Sequence, residues 1–370
     1  MRYNLTVAKT ELESLLSLET FGTVKAIGTW VYACAFVVNG PLTDRIGGKR
    51  AALLALGGAA LANIAMGVYL RSTTLAGTIT AAKLGWVFGG LYALNMYFQS
   101  FGAVSIVKVN SAWFHVRERG GFSGIFGTMI SAGLLFAFDA NSWVLDSAKV
   151  GLPAGAPVPS WILFFLPAAC LAAMFAVEAF LLRDHPSEAG LADIETGEAT
   201  LGDDQDQLSV WQVLLRVVTH PVVLTVALIE LCTGALRQGV QDWFYLYAKG
   251  QAKVSPGGWS FTSEHWGLIQ SAAGVIGANL VGCVSDRVFQ SRRAPSAAIL
   301  YGLMIGSIGA MTFALGSGWT LGALSFCCML SVLGIHGLLS GTATMDFGGR
   351  RGTATAVGMI DGFVYLGAAS

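Results

Sequence analysis

Arg237 is the residue with the most specific chemistry on offer. It sits in Cys232-Thr-Gly-Ala-Leu-Arg-Gln-Gly-Val-Gln-Asp242-Trp243, after the apolar run Pro221–Leu231 and before Phe244–Tyr247. Together these residues read as one helix longer than the roughly 20 residues a bilayer crossing needs. A guanidinium keeps its proton, so at bilayer depth it costs about 2.5 kcal/mol or more unless it faces a wet cavity or an anion. Two roles fit: a structural ion pair with Asp242 or Glu230, or an anion-binding group in a transport path. Glu230 and Asp361 are two further acids in apolar runs, each either a protonatable coupling group or a hydrogen-bonded carboxyl at a helix contact. His336 reads as a core histidine. No nucleophile–base set, metal-ligand spacing or phosphate loop accompanies them, so no enzymatic role, metal or cofactor is expected.

The elements that must hold these charges are membrane spans. The 370 residues are 54% hydrophobic and 12% charged, about half the charged share of a soluble domain. That composition implies an all-α, multi-pass protein whose surroundings are a lipid bilayer. The formal net charge of zero argues against a nucleic-acid partner. The six cysteines lie in apolar spans without C-x-x-C spacing, so neither a disulfide framework nor a zinc site follows. Residues 1–18 mix polar and apolar types and do not read as a cleavable signal peptide.

Hydropathy places spans at about 20–41, 51–70, 79–108, 120–139, 160–182, 221–247, 266–284, 295–316, 318–340 and 353–370. Residues 1–19 read as the tail of a first helix, and the last span stops at Ser370 without a polar loop. The expectation is ten full spans plus part of the first helix, with the chain clipped at both ends. One set of loops carries Arg45, Lys49, Arg50, Arg117, Arg183 and Arg287; the other carries Lys9, Arg71, Lys149, Lys249 and Lys253. The first set is therefore cytoplasmic. Residues 183–212, rich in acids with Pro and Gly, read as a cytoplasmic linker between a bundle at 1–182 and a second at 213–370.

The two halves echo each other. Gly40-Pro-Leu-Thr-Asp44-Arg45-Ile-Gly-Gly-Lys49-Arg50 returns as Gly282-Cys-Val-Ser-Asp286-Arg287 through Arg293, and Arg119-Gly-Gly-Phe-Ser-Gly124 returns at Arg351-Gly-Thr-Ala-Thr-Ala. The offsets are 242 and 232 residues, and a similar step back from Arg237 lands on Arg2. Internal repeats with a binding site between them mark transporters. Two arginines at equivalent places can clamp one anion, which a structural ion pair would not require.

The loop Gly40–Arg50 resembles the G-x-x-x-D-R-x-G-x-[KR]-[KR] pattern of the major facilitator superfamily. Arg2-Tyr-Asn4, Tyr97-Phe-Gln99 through Gly121, Leu236–Trp243 and Gly352–Gly367 are similar to the organophosphate:phosphate antiporters, the bacterial glycerol-3-phosphate, hexose-phosphate and phosphoglycerate group. The resemblance implies two pseudo-symmetric six-helix bundles and a multi-pass, monomeric protein of the bacterial inner membrane. It also implies exchange of a small phosphorylated metabolite for inorganic phosphate. Arg2 and Arg237 match the pair that holds the phosphate, where two rigid forks offer bidentate donors. Tyr32, Gln99, Tyr365 and Lys25 would shape the cavity.

Departures narrow the substrate. Phe36 and Ile130 replace a lysine and a histidine of the glycerol-3-phosphate group, so that ester is not the expected cargo. Lys25 is three turns from Phe36 on the same face, roughly 16 Å away, which suits a vestibule role or, the expectation here, snorkelling toward the outer headgroups. Lys108, at a cytoplasmic helix end, is expected to snorkel as well. Asp44, Arg45, Asp286 and Arg287 read as gating residues, with Arg117 and Arg351 as partners and a helix N-terminus assisting Asp44. The alternatives are a proton-coupled symporter of a carboxylate, such as a sugar acid or dicarboxylate, and a transporter-like sugar-phosphate sensor.

Overall fold

The computed structural model describes residues 3–13, 15–115, 119–153, 156–194, 215, 219–290 and 293–369, with backbone alone at 119–123, 286, 293 and 341–351. The first half contains α1 (Asn4–Glu11), α2 (Leu18–Ile46), α3 (Gly48–Leu75), α4 (Ala81–Trp113), α5 (Arg119–Leu135), α6 (Asn141–Lys149) and α7 (Ile162–Leu181). The second contains α8 (Pro221–Gln238), α9 (Tyr245–Val254), α10 (Gly258–Glu264), α11 (Trp266–Arg287), α12 (Arg293–Met311), α13 (Gly318–His336) and α14 (Thr344–Ala369). Eight helical stretches among the described residues are long and apolar enough to cross a membrane. The more polar α4 and α14 reach 33 and 26 residues, so each of the ten expected spans is a helix.

Local chemistry sets the ends of these helices. Ser17 caps α2, its hydroxyl accepting the Thr20 amide at 3.1 Å. Gly47, at φ 90°, reverses the chain between α2 and α3 in a conformation that residues with a Cβ rarely adopt. Pro221 opens α8 at a position whose amide has no helical partner. Leu61, Trp86, Phe180, Leu181 and Phe313 are exposed on the outside of the bundle, as a bilayer-facing surface requires.

Inside, α1 is fixed by a chain of amides. Asn4 Nδ2 donates to Asn63 Oδ1 at 2.8 Å, and Asn63 Nδ2 donates to Asn95 Oδ1 at 3.1 Å. The halves meet where α14 packs on α2 and where α5 packs on α11. A Cβ at Gly358 would run into the Phe36 carbonyl, and one at Gly367 would run into that of Leu231. Small residues therefore let α14 lie flush on both α2 and α8. The expected single helix over 221–247 is not uniform: a π segment, Gly239–Phe244, follows Arg237 and re-aims Gln241 and Asp242.

Candidate functional site

Arg237 lies in the last turn of α8, near the middle of the longer helical stretch Pro221–Val254, and is 2% exposed. Its guanidinium carbon stands 4.8 Å from the centroid of the Tyr365 ring, a cation–π contact. Its Nε and Nη2 have no hydrogen-bond partner among the described residues. Tyr365 meets Tyr32 edge-on at 4.3 Å and stacks with Phe36 at 5.5 Å. Seven residues before Arg237, Glu230 is fully buried with neither carboxylate oxygen hydrogen-bonded. His336 Nδ1 of α13 is 3.5 Å from Glu230 Oε2. Asp361 of α14, also buried, accepts from the Ser340 hydroxyl. A buried guanidinium and carboxylate with unsatisfied donors and acceptors carry a large desolvation cost. Chemically, this cluster suits an anion at Arg237 and a proton among the acids.

The Lys25 end of the same interface is different. Lys25 Nζ of α2 pairs with Asp242 Oδ2 at 2.8 Å, the two side chains 8% and 1% exposed. The Thr6 hydroxyl donates to the other Asp242 oxygen at 2.7 Å, and Gln238 Nε2 donates to the Lys25-paired one. The Tyr3 hydroxyl donates to Gln241. Asp139, after α5, accepts the Gly267 and Leu268 amides at 2.7 and 2.8 Å, an anion on the N-terminus of α11. At the exposed rim Lys253 bonds Glu13 at 2.9 Å and holds its carboxyl below the usual carboxylate range. A cavity of about 170 Å³ lies beside this network, lined by Lys25, Thr29, Gln238, Asp242, Trp243 and their neighbours.

At the opposite end, Asp44 ties three helices together. One oxygen takes Lys108 Nζ at 2.7 Å, and the other accepts the Thr355 amide and hydroxyl at 2.9 and 2.7 Å, reaching from α2 to α14. Asp184 accepts the Lys49 amide at 2.6 Å at the start of α3. Both line a cleft of about 650 Å³ with Arg45, Lys49, His185 and Glu188. Its acids and bases lie interleaved along the cleft. Among the described residues no group of His, Cys, Asp and Glu could hold a metal.

A family model described as Major Facilitator Superfamily matches residues 2–370. The chain belongs to the major facilitator superfamily. Among curated relatives, the membrane sensor protein UhpC of Salmonella typhimurium is 26% identical over 378 residues, 99% of this chain and 78% of that protein. The glycerol-3-phosphate transporter of Bacillus subtilis is 24% identical over 288 residues, 74% of this chain and 60% of that protein. Among solved structures, the proton:xylose symporter XylE is similar at a TM-score of 0.68 and 12% identity, covering 99% of this chain and 83% of that one. This facilitator fold makes the chain a multi-pass membrane protein, and its similarities are to transporters and a membrane sensor, not to enzymes.

In this facilitator the residues expected to share a site are divided by the fold. Arg237, Tyr365 and Tyr32 come together. Arg2 and Arg117 lie outside the described residues, while Asp286 and Arg351 are described by backbone alone. Arg45 and Arg287 are exposed. Gln99 is half-buried, its Nε2 without a hydrogen bond among the described residues. Lys25 does not snorkel: it turns inward because Asp242 and the faces of Tyr3 and Tyr92, 5.4 and 5.7 Å away, stabilise its charge. Lys108 does not snorkel either, since it pairs with Asp44. Asp44 meets Thr355 in place of a helix N-terminus; the acid at such a terminus is Asp184. Tyr3, Thr6, Gln238, Gln241 and Ser340 were not foreseen. Gln238, Gln241 and Asp242 share one helical face by their spacing, a signal available beforehand.

Proposed function

We propose that this facilitator moves a small phosphorylated organic anion by alternating access, in exchange for inorganic phosphate. The observation that carries the proposal is Arg237: 2% exposed, stacked on Tyr365, with two guanidinium nitrogens unpartnered. A permanent cation so placed is matched best by an anion with several acceptor oxygens. Arg2, in the other half, supplies the second fork, and Tyr32 and Tyr365 bound the organic part. Similarity to a glycerol-3-phosphate transporter supports the substrate class. Phe36, stacked on Tyr365, puts an aromatic ring where the glycerol-3-phosphate group carries a lysine, which argues against glycerol 3-phosphate itself.

The test is phosphate exchange in proteoliposomes. Arg237→Lys keeps the charge and removes the fork, so exchange falls about hundredfold, the loss of one or two charge-assisted hydrogen bonds. A variant that exchanges phosphate as fast as the parent overturns the assignment. The near full-length similarity to a membrane sensor favours one second reading, a sugar-phosphate sensor on a transporter fold. Saturable binding of phosphate esters without flux in the same vesicles would select it.

A further inference from the structure

We propose that Glu230 and His336 form a proton-binding pair that loads together with the anion at Arg237, so that anion occupancy is linked to proton uptake. The inference rests on the anion-binding reading of Arg237 and adds to it the ionic bookkeeping of the site. Glu230 has both oxygens buried and without a hydrogen bond, and His336 Nδ1 stands 3.5 Å from one of them. A proton shared across that gap satisfies an oxygen and a ring nitrogen at once. The other groups facing Glu230 are Arg237 on its own helix, the Tyr301 hydroxyl of α12 and Asp361 of α14. Tyr301 is joined to α8 by its 2.8 Å bond with Thr233.

The charges explain the linkage. Without an anion, Arg237 is the positive charge that offsets the carboxylates of Glu230 and Asp361. An incoming phosphate takes over Arg237 and leaves those carboxylates facing a further negative charge. Protonating the Glu230–His336 pair removes one of them, and the proton leaves when the anion does. No bond other than that to hydrogen is made or broken. Seven helical residues separate Glu230 from Arg237, roughly 10 Å of rise. At that distance and an effective dielectric near 20, the interaction corresponds to about a tenfold effect on affinity. Linkage is reciprocal: protons must tighten anion binding by the same factor by which the anion tightens proton binding.

The experiment measures the apparent affinity of the whole purified chain for inorganic phosphate between pH 5.5 and 8.5, by titration calorimetry in detergent. Phosphate titrates in this range itself, but identically for parent and variant, so the comparison removes it. The parent loses about tenfold more affinity than Glu230→Gln on going from the acid to the alkaline end. The sign is fixed: Gln resembles the protonated acid, so the variant is the tighter binder at pH 8.5. His336→Gln, measured in parallel, flattens the profile in the same direction and serves if Glu230→Gln does not fold. Parallel profiles in parent and both variants overturn the proton linkage while leaving the anion site standing. Absence of phosphate binding to the parent at every pH overturns the anion site and the linkage with it.

Discussion

Two groups of buried charges lie along one helix and its π turn, and they are finished differently. Around Asp242 every polar group has found another: Lys25, Thr6 and Gln238 converge on one carboxylate, and Tyr3 on the adjacent Gln241. Around Arg237, five residues before Asp242, and Glu230, seven residues before Arg237, the guanidinium nitrogens Nε and Nη2 and both carboxylate oxygens remain without hydrogen bonds among the described residues. A saturated buried pair behaves as structure, because breaking it strands a charge. An unsaturated one has donors to spend on something that arrives. The contrast separates a pair that ties the halves together from the cluster proposed to take a ligand.

The sharpest way to break this comparison is to cut the Lys25–Asp242 pair. Asp242→Asn leaves Lys25 buried without its counter-ion, and should cost about 3–5 kcal/mol of stability, read as thermal unfolding in detergent. Removing both charges, in Lys25→Met with Asp242→Leu, should recover most of that loss, since a buried pair is often replaceable by apolar groups of similar volume. Glu230→Gln should be nearly neutral in the same assay. Equal losses at Asp242 and Glu230 would dissolve the distinction.

A smaller effect is expected at the ring that carries Arg237. Tyr365→Leu removes the cation–π contact, about 0.5–2 kcal/mol, and should weaken phosphate binding by up to about 30-fold without unfolding the chain. An effect on stability alone would make Tyr365 a packing residue. The smallest effect belongs to the rim. Glu13 is exposed and its pair with Lys253 is screened, so Glu13→Gln should change stability by less than about 1 kcal/mol. Lys253 depresses the folded-state carboxyl, so this contribution is present above the ordinary carboxylate range and fades as pH falls through the lowered value. A parent–variant difference in unfolding temperature that grows toward acid pH would contradict that sign.

Much of the architecture was legible beforehand. Apolar runs of bilayer length anticipated a helix at each of the ten expected spans among the described residues. The loop motif singles out Asp44 but not its partners: Lys108 and Thr355 are 64 and 311 residues away in the chain. Lys25 was misjudged for a related reason. Snorkelling is what a lone lysine near a helix end does, and the acid that prevents it lies in the opposite half. His336 looked like packing because the carboxylate beside it belongs to another helix.

Sequence by itself determined that this is a helical membrane protein built from two echoing halves, with a permanent cation inside the apolar span over 221–247. Hydropathy and repeat spacing are properties of the chain read along its length, and they survive without knowledge of contacts. Which buried charges neutralise one another was decided only by tertiary structure. Ion pairing depends on distances of about 3 Å between helices far apart in the chain, and on the close α14 crossings that glycine permits. Those crossings brought Tyr365 onto Arg237 and left the guanidinium with hydrogen bonds still to make.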